Sequence, residues 1–250
     1  MQEVQTSTKQ KAHQGLTTRK DTWWLEPLLV ALGFTGFIIY GTFRAFENAH
    51  YEFNHYLSPF YSPKLLFDWW KFSPAFLILW IPGGFRATCY YYRKAYYRAF
   101  FWDPPACSVG HLGGESYGGE TSFPLILQNM HRYFFYLATV VLIFLWVDVF
   151  QAMFYSGGVH LSLVSLIMLV NCVFLSGYSF GCHAFRHLVG GRLDCFSCPS
   201  AQTHYKGWKF VTKLNEHHQL WAWISLFSVG FTDFYIRQVS TGALPEMPFF

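Results

Sequence analysis

The stretch from Arg132 to Tyr155 constrains this chain most, because its centre, Leu137 to Trp146, contains no charged residue. About twenty predominantly apolar residues are needed for a helix to cross roughly 30 Å of hydrocarbon. A soluble core of this size has no room for several runs of that length. Four further segments read the same way, giving spans at 23–43, 70–90, 132–155, 160–188 and 217–239. Composition agrees: 13% of residues are charged and 22% aromatic, against roughly 25% charged in a soluble domain. The expected fold is therefore all-α, an integral membrane bundle of five transmembrane helices. It follows a polar segment (1–22) that lacks the apolar stretch of a signal peptide. The membrane domain covers 23–240, and 241–250 form a short tail.

Local signals refine the spans. Trp23 and Trp24 anchor the first helix at an interface. Ile81-Pro82-Gly83-Gly84 breaks the second, which neighbouring helices or water must then compensate. Cations set the orientation. Lys9, Lys11, Arg19 and Lys20 precede the first span; Arg86, Arg93, Lys94, Arg98 and Arg132 lie between the second and third. Arg186, Arg192, Lys206, Lys209 and Lys213 lie between the fourth and fifth. The opposite side carries only Arg44, Lys64, Lys71 and Arg237. The N-terminus is thus expected in the cytoplasm and the C-terminus outside. No basic run suggests nucleic-acid binding.

The densest set of possible ligands is Gly181-Cys182-His183-Ala184-Phe185-Arg186-His187, followed by Cys195-Phe196-Ser197-Cys198. His183 and His187 share one helix face. Gly190-Gly191 suits a helix stop, and the chain then has room to return Cys195 and Cys198 beneath the histidines. A lone His or Cys at a helix end means little, but four within sixteen positions predict a metal centre. On a reducing cytoplasmic face a disulfide is not expected. Two Cys and two His fit a structural zinc ion or a Rieske-type [2Fe–2S] cluster, whose histidine ligation raises its potential. The paired C-x-H and C-x-x-H boxes of soluble Rieske domains are absent. Cys182, Cys89 or Cys107 are possible substitutes in the set, while Cys172, deep in the fourth span, reads as packing. A b-type haem is the alternative, with His131 paired to His183 or His217 near one face. Asp148, Gln151, Asp233 and Arg237 lie where helices leave the bilayer, which favours a boundary role over a distal quinone site.

Two segments carry a family resemblance: Phe123-Pro124-Leu125-Ile126-Leu127-Gln128-Asn129-Met130-His131-Arg132-Tyr133-Phe134 and Gly181-Cys182-His183-Ala184-Phe185-Arg186-His187-Leu188-Val189-Gly190-Gly191. With five helices and terminal histidines, the chain resembles the single-chain membrane anchor of a bacterial succinate dehydrogenase or fumarate reductase. The branch it looks like holds a membrane-embedded Rieske-type cluster in place of haems. The resemblance implies the bacterial inner membrane, with a flavoprotein and an iron–sulfur subunit docked on the cytoplasmic face. It also implies relay of electrons from succinate to quinone, succinate oxidation itself belonging to the partners. Family quinone sites lie at the cytoplasmic end of the bundle, where His131, Arg132, Tyr91 and Arg86 stand. The rivals are a b-type haem anchor of the same complex and a stand-alone transporter with a structural zinc site. The transporter would show midplane charges and a repeat, and neither is evident.

Overall fold

The structure is a computed structural model that describes residues 16–110, 119–155, 157–191, 194–195 and 198–249. Most of the N-terminal segment, with Lys9 and Lys11, lies outside the described residues, as do Ser156, Arg192, Phe196, Ser197 and Phe250.

Helix α1 (Leu25–Glu47) ends on Asn48 in the left-handed conformation, which Asn tolerates better than most residues. Only Arg44 and Ala45 of this helix are buried. Leu29, Leu32, Ile38, Ile39 and Phe46 are each about 60% exposed or more. An apolar surface of that extent does not persist in water, so this face belongs against lipid.

Helices α5 (His131–Met153) and α6 (Leu163–Phe180) follow the same logic. Together with α1 they are long and apolar enough to cross a membrane. A capping box between Ser162 and Ser165 starts α6, satisfying backbone donors that have no partner within the helix. Helix α9 (His218–Ser240) has the same 23 residues as α1. It is less apolar because its far end carries Asp233 and Arg237, and it packs against both α6 and α1.

The second expected span is much shorter than 70–90. It consists of α2 (Ala75–Ile78) and α3 (Trp80–Ala87), parted at Leu79. Pro82 falls in the first turn of α3, where its missing N–H costs nothing. The break therefore lies one turn earlier than the Pro-Gly-Gly run suggested. At 1.5 Å per residue these helices cover about 20 Å, and the exposed aromatics Phe67, Trp69 and Phe72 precede them. The fourth span also ends early. Its helix stops at Phe180, and Cys182 opens a separate helix, α7 (His183–Gly190). Two more helices lie beyond the bundle: α4 (Tyr90–Tyr96) and α8 (Pro199–Glu216).

The far end is closed by two small hairpins, β1 (Glu52–Phe53) with β2 (Tyr56–Leu57) and β3 (Phe154–Tyr155) with β4 (Gly158–Val159). Asn54, at φ 51°, turns the first, and Gly157, at φ 75°, the second. Beneath them lies a buried ionic group. Arg44 Nε donates to Asp233 Oδ2 at 2.7 Å, and Tyr40 and Ser58 donate to the same carboxylate. Arg44 also binds Glu47, which pairs with Arg237. Arg44, Ser58 and Asp233 are wholly buried.

Candidate functional site

At the opposite end four helix boundaries meet. Cys89 is the N-cap of α4 and Cys182 the N-cap of α7. His131 is the first residue of α5 and His218 the first of α9. The His131 Nε2 to Cys182 Sγ distance is 2.9 Å, and that from His218 Nε2 to Cys89 Sγ is 3.6 Å. Both cysteines and His131 are buried. Rings clamp the imidazoles: Phe85 stacks on His131 at 4.9 Å and Tyr178 on His218 at 5.0 Å. Phe85 and Tyr178 also contact each other, at 5.3 Å.

Two glycines allow this closeness. A Cβ on Gly177 would lie 2.5 Å from the Trp221 ring, and one on Gly84 would lie 2.2 Å from Phe134. At either position a side chain would have to push that ring, or the helix that carries it, aside.

Helix geometry aims N–H groups at both sulfurs. Burial pushes the Cys89 thiol above its usual range, while the N–H groups of Tyr92 and Tyr91 pull it back. Burial, and then the neighbouring Cys89, push the Cys182 thiol up to about 12. The N–H groups of Ala184, Phe185 and His183 oppose that rise. Donors of this kind stabilise a thiolate once something replaces its proton. On the imidazole side, His131 Nδ1 is 3.0 Å from Thr88 Oγ1, which fixes that ring, whereas the buried His218 Nδ1 has no partner.

Donor chemistry therefore makes this quartet the candidate metal centre. Among the described residues no three His, Cys, Asp or Glu side chains converge as a single ion requires. The arrangement is two Cys–His pairs side by side. A tetrahedral zinc site needs four ligands on one point. A [2Fe–2S] centre takes four ligands in all, and in its Rieske form two thiolates bind one iron and two imidazoles the other. The quartet supplies that ligand set, but its close contacts pair each thiol with an imidazole.

The ligand set His183, His187, Cys195 and Cys198 is not brought together. His183 and His187 face each other at 3.0 Å between Nε2 atoms, exposed on α7. Partial burial, then the cations His187, Arg186 and Arg132, hold the His183 pKa below its usual value. Cys195 and Cys198 are joined as a disulfide, contrary to the pairing expected on a reducing face. Their Cα separation of 5.7 Å suits that bond, and neither offers a thiolate to the histidines. Of the named substitutes, Cys89 and Cys182 belong to the quartet and Cys107 is exposed elsewhere. His131 stands in the quartet as well, and Arg132 beside it is exposed. His218 carries no ligand motif in the sequence, since the only Cys or His close to it is the adjacent His217, which cannot share its helix face.

Beside the quartet runs a cavity of about 420 Å³ between α1, α3, α5 and α6. Phe37, Ile38, Leu142 and Leu145 line its apolar length, and Arg86, Tyr178 and Ser179 form its polar end. Arg86 donates to Tyr92, to Ala222 O and to Ser225, and its guanidinium stands 4.6 Å over the Tyr178 ring. Those bonds use three of its five N–H groups. Tyr91 instead accepts from Trp223 Nε1 at 2.7 Å, so of the expected quinone residues only Arg86 lines this cavity.

Residues 25–242 match the family described as the actinobacterial succinate dehydrogenase subunit SdhC. A chain of the Mycobacterium smegmatis Sdh1 complex in its apo form is similar, with 40% identity, a TM-score of 0.83 and 94% of each chain covered. No curated protein matches.

Proposed function

The chain belongs to the family of actinobacterial SdhC subunits, membrane anchors of succinate dehydrogenase, and from that premise we propose that it carries electrons through its Cys/His quartet to quinone. Cys89, Cys182, His131 and His218 are the residues that would hold a Rieske-type [2Fe–2S] cluster. When bound, such a cluster supplies a one-electron carrier whose histidine ligation raises its potential toward that of quinones. The observation that carries the reading is the convergence of two thiols and two imidazoles from four helix ends in one buried place.

The chain's own residues supply the rest. N–H groups at the starts of α4 and α7 favour thiolates. Phe85 and Tyr178 hold the imidazoles and exclude water. Arg86, with two N–H groups unused, is placed to donate to a quinone oxygen, and the apolar cavity fits the isoprenoid tail. Tyr178 lines the cavity and stacks on His218, so a quinone headgroup would stand one ring away from the quartet. A haem anchor is less well supported, because no histidine lines this cavity.

In this reading the chain crosses the inner membrane five times, through α1, α2–α3, α5, α6 and α9. The quartet end is cytoplasmic, since Arg19, Lys20, Arg93, Lys94, Arg98, Arg132 and the lysines of α8 all lie there. The flavoprotein and iron–sulfur subunits dock on that face.

The test is low-temperature EPR of the dithionite-reduced complex. A histidine-ligated [2Fe–2S] signal is expected beyond those of the partner clusters. It should vanish in Cys89→Ser and His218→Ala but persist in Cys198→Ser and His183→Ala. The opposite pattern would return the ligands to the α7–α8 loop, and no extra signal in the wild type would remove the redox role.

A further inference from the structure

On the outer side of the bundle, α8 leaves an apolar groove of about 560 Å³ against α6 and α7. Val173, Ser176 and Gly177 of α6 form one wall, and Gly207, Phe210 and Leu214 of α8 form the other. Those three α8 positions are spaced three and four apart and make one stripe of the helix. Lys206, Lys209 and Lys213 make a second stripe displaced by one residue, about 100° around the helix and next to the groove-lining stripe. All three lysines are exposed, and among the described residues none is in an ion pair. Phe210, in the apolar stripe, is 65% exposed on a helix outside the bundle.

A groove with one wall on a membrane-crossing helix and a cationic rim on a helix beyond the bundle has the polarity of a phospholipid. We propose that it binds an anionic phospholipid, with an acyl chain between α6 and α8 and the phosphate at Lys209 and Lys213. Charge complementarity selects this occupant, because α8 offers three cations with no ion pair among the described residues, Lys209 standing 4.5 Å over the Tyr205 ring, and the groove walls carry no carboxylate. Packing supports α8 as a fixed wall. The Arg186 guanidinium stands 4.6 Å from Trp208 and its Nε donates to Thr212 at 3.1 Å. Gly190 also packs closely on Trp208. The groove is thus a formed feature, independent of what the quartet holds.

The experiment delipidates the purified complex and exposes it to equal amounts of phosphatidylglycerol and phosphatidylcholine. Retained lipid is then counted by native mass spectrometry. Phosphatidylglycerol is expected to be retained in excess. Each basic residue near an anionic headgroup is worth about 1 kcal/mol, so Lys209→Gln with Lys213→Gln should weaken retention about thirty-fold. Val173→Trp fills the groove while sparing the cations, and should also displace the lipid. Equal retention of both lipids, or retention unchanged by either variant, overturns the proposal. So does a cross-link from Phe210→Cys to a partner subunit, which would show that protein covers the groove.

Discussion

Removing Arg44 should strand the Asp233 carboxylate. In Arg44→Met that group, fully buried, would keep only the hydroxyls of Tyr40 and Ser58. Breaking a buried pair by deleting one partner costs about 3–5 kcal/mol, because an uncompensated charge remains. Glu47 is not stranded, since Arg237 Nη2 still binds it at 2.7 Å, so the cost falls on one carboxylate. For a chain of this size about 1 kcal/mol moves the melting temperature by roughly 2–4 °C, which predicts a fall of roughly 6–20 °C. Asp233→Asn should cost less, about 1–3 kcal/mol, because the amide oxygen still accepts a hydroxyl and Arg44 retains Glu47. The double variant should recover about half of the Arg44→Met loss, since no buried charge is left unpaired. Unfolding can be followed with a fluorogenic thiol reagent, as Cys89, Cys172 and Cys182 are buried and become reactive only on opening. A double variant no more stable than Arg44→Met, or an Arg44→Met protein that melts with the wild type, would refute the reasoning.

Gly177→Val should destabilise the chain by about 1–3 kcal/mol by forcing α6 from Trp221, and should abolish the [2Fe–2S] signal; an intact signal in the folded variant would show that α6 and α9 need not meet so closely. Arg86→Ala should raise KM for quinone roughly ten- to 150-fold, the 1.5–3 kcal/mol of a charged hydrogen bond, in a steady-state succinate:quinone assay; an unchanged KM would separate Arg86 from the headgroup.

The long helices were legible because composition alone separates Leu137 to Trp146 from anything soluble. The second pass was less so: Pro82 reads as a break, yet a proline in a first turn disrupts nothing, and the interruption falls at Leu79. The fourth read too long because α7 continues the helical pattern of α6, and only the extended backbone at Cys182 parts them. The quartet defeated local reading for a different reason. Cys89, His131, Cys182 and His218 are far apart in the chain, so no spacing rule links them. His183 with His187, and Cys195 with Cys198, do have ligand spacing and drew attention instead. A faint signal was present. Cys89 and Cys182 each follow a glycine-bearing helix and precede an arginine by four residues (Arg93 and Arg186), and His131 and His218 each open an apolar run. Termini reveal ligands only when several are considered together.

That the quartet is drawn from four separate helix boundaries also governs its biogenesis. During synthesis Cys89, His131 and Cys182 are in place before the last pass exists, and His218 arrives only with α9. The quartet is therefore closed by the final segment to insert, and a centre that used all four groups would be complete only once α9 is in place. Loading in turn ties the ends of α3, α5, α6 and α9 to one another, so a finished centre reports that the whole bundle has assembled.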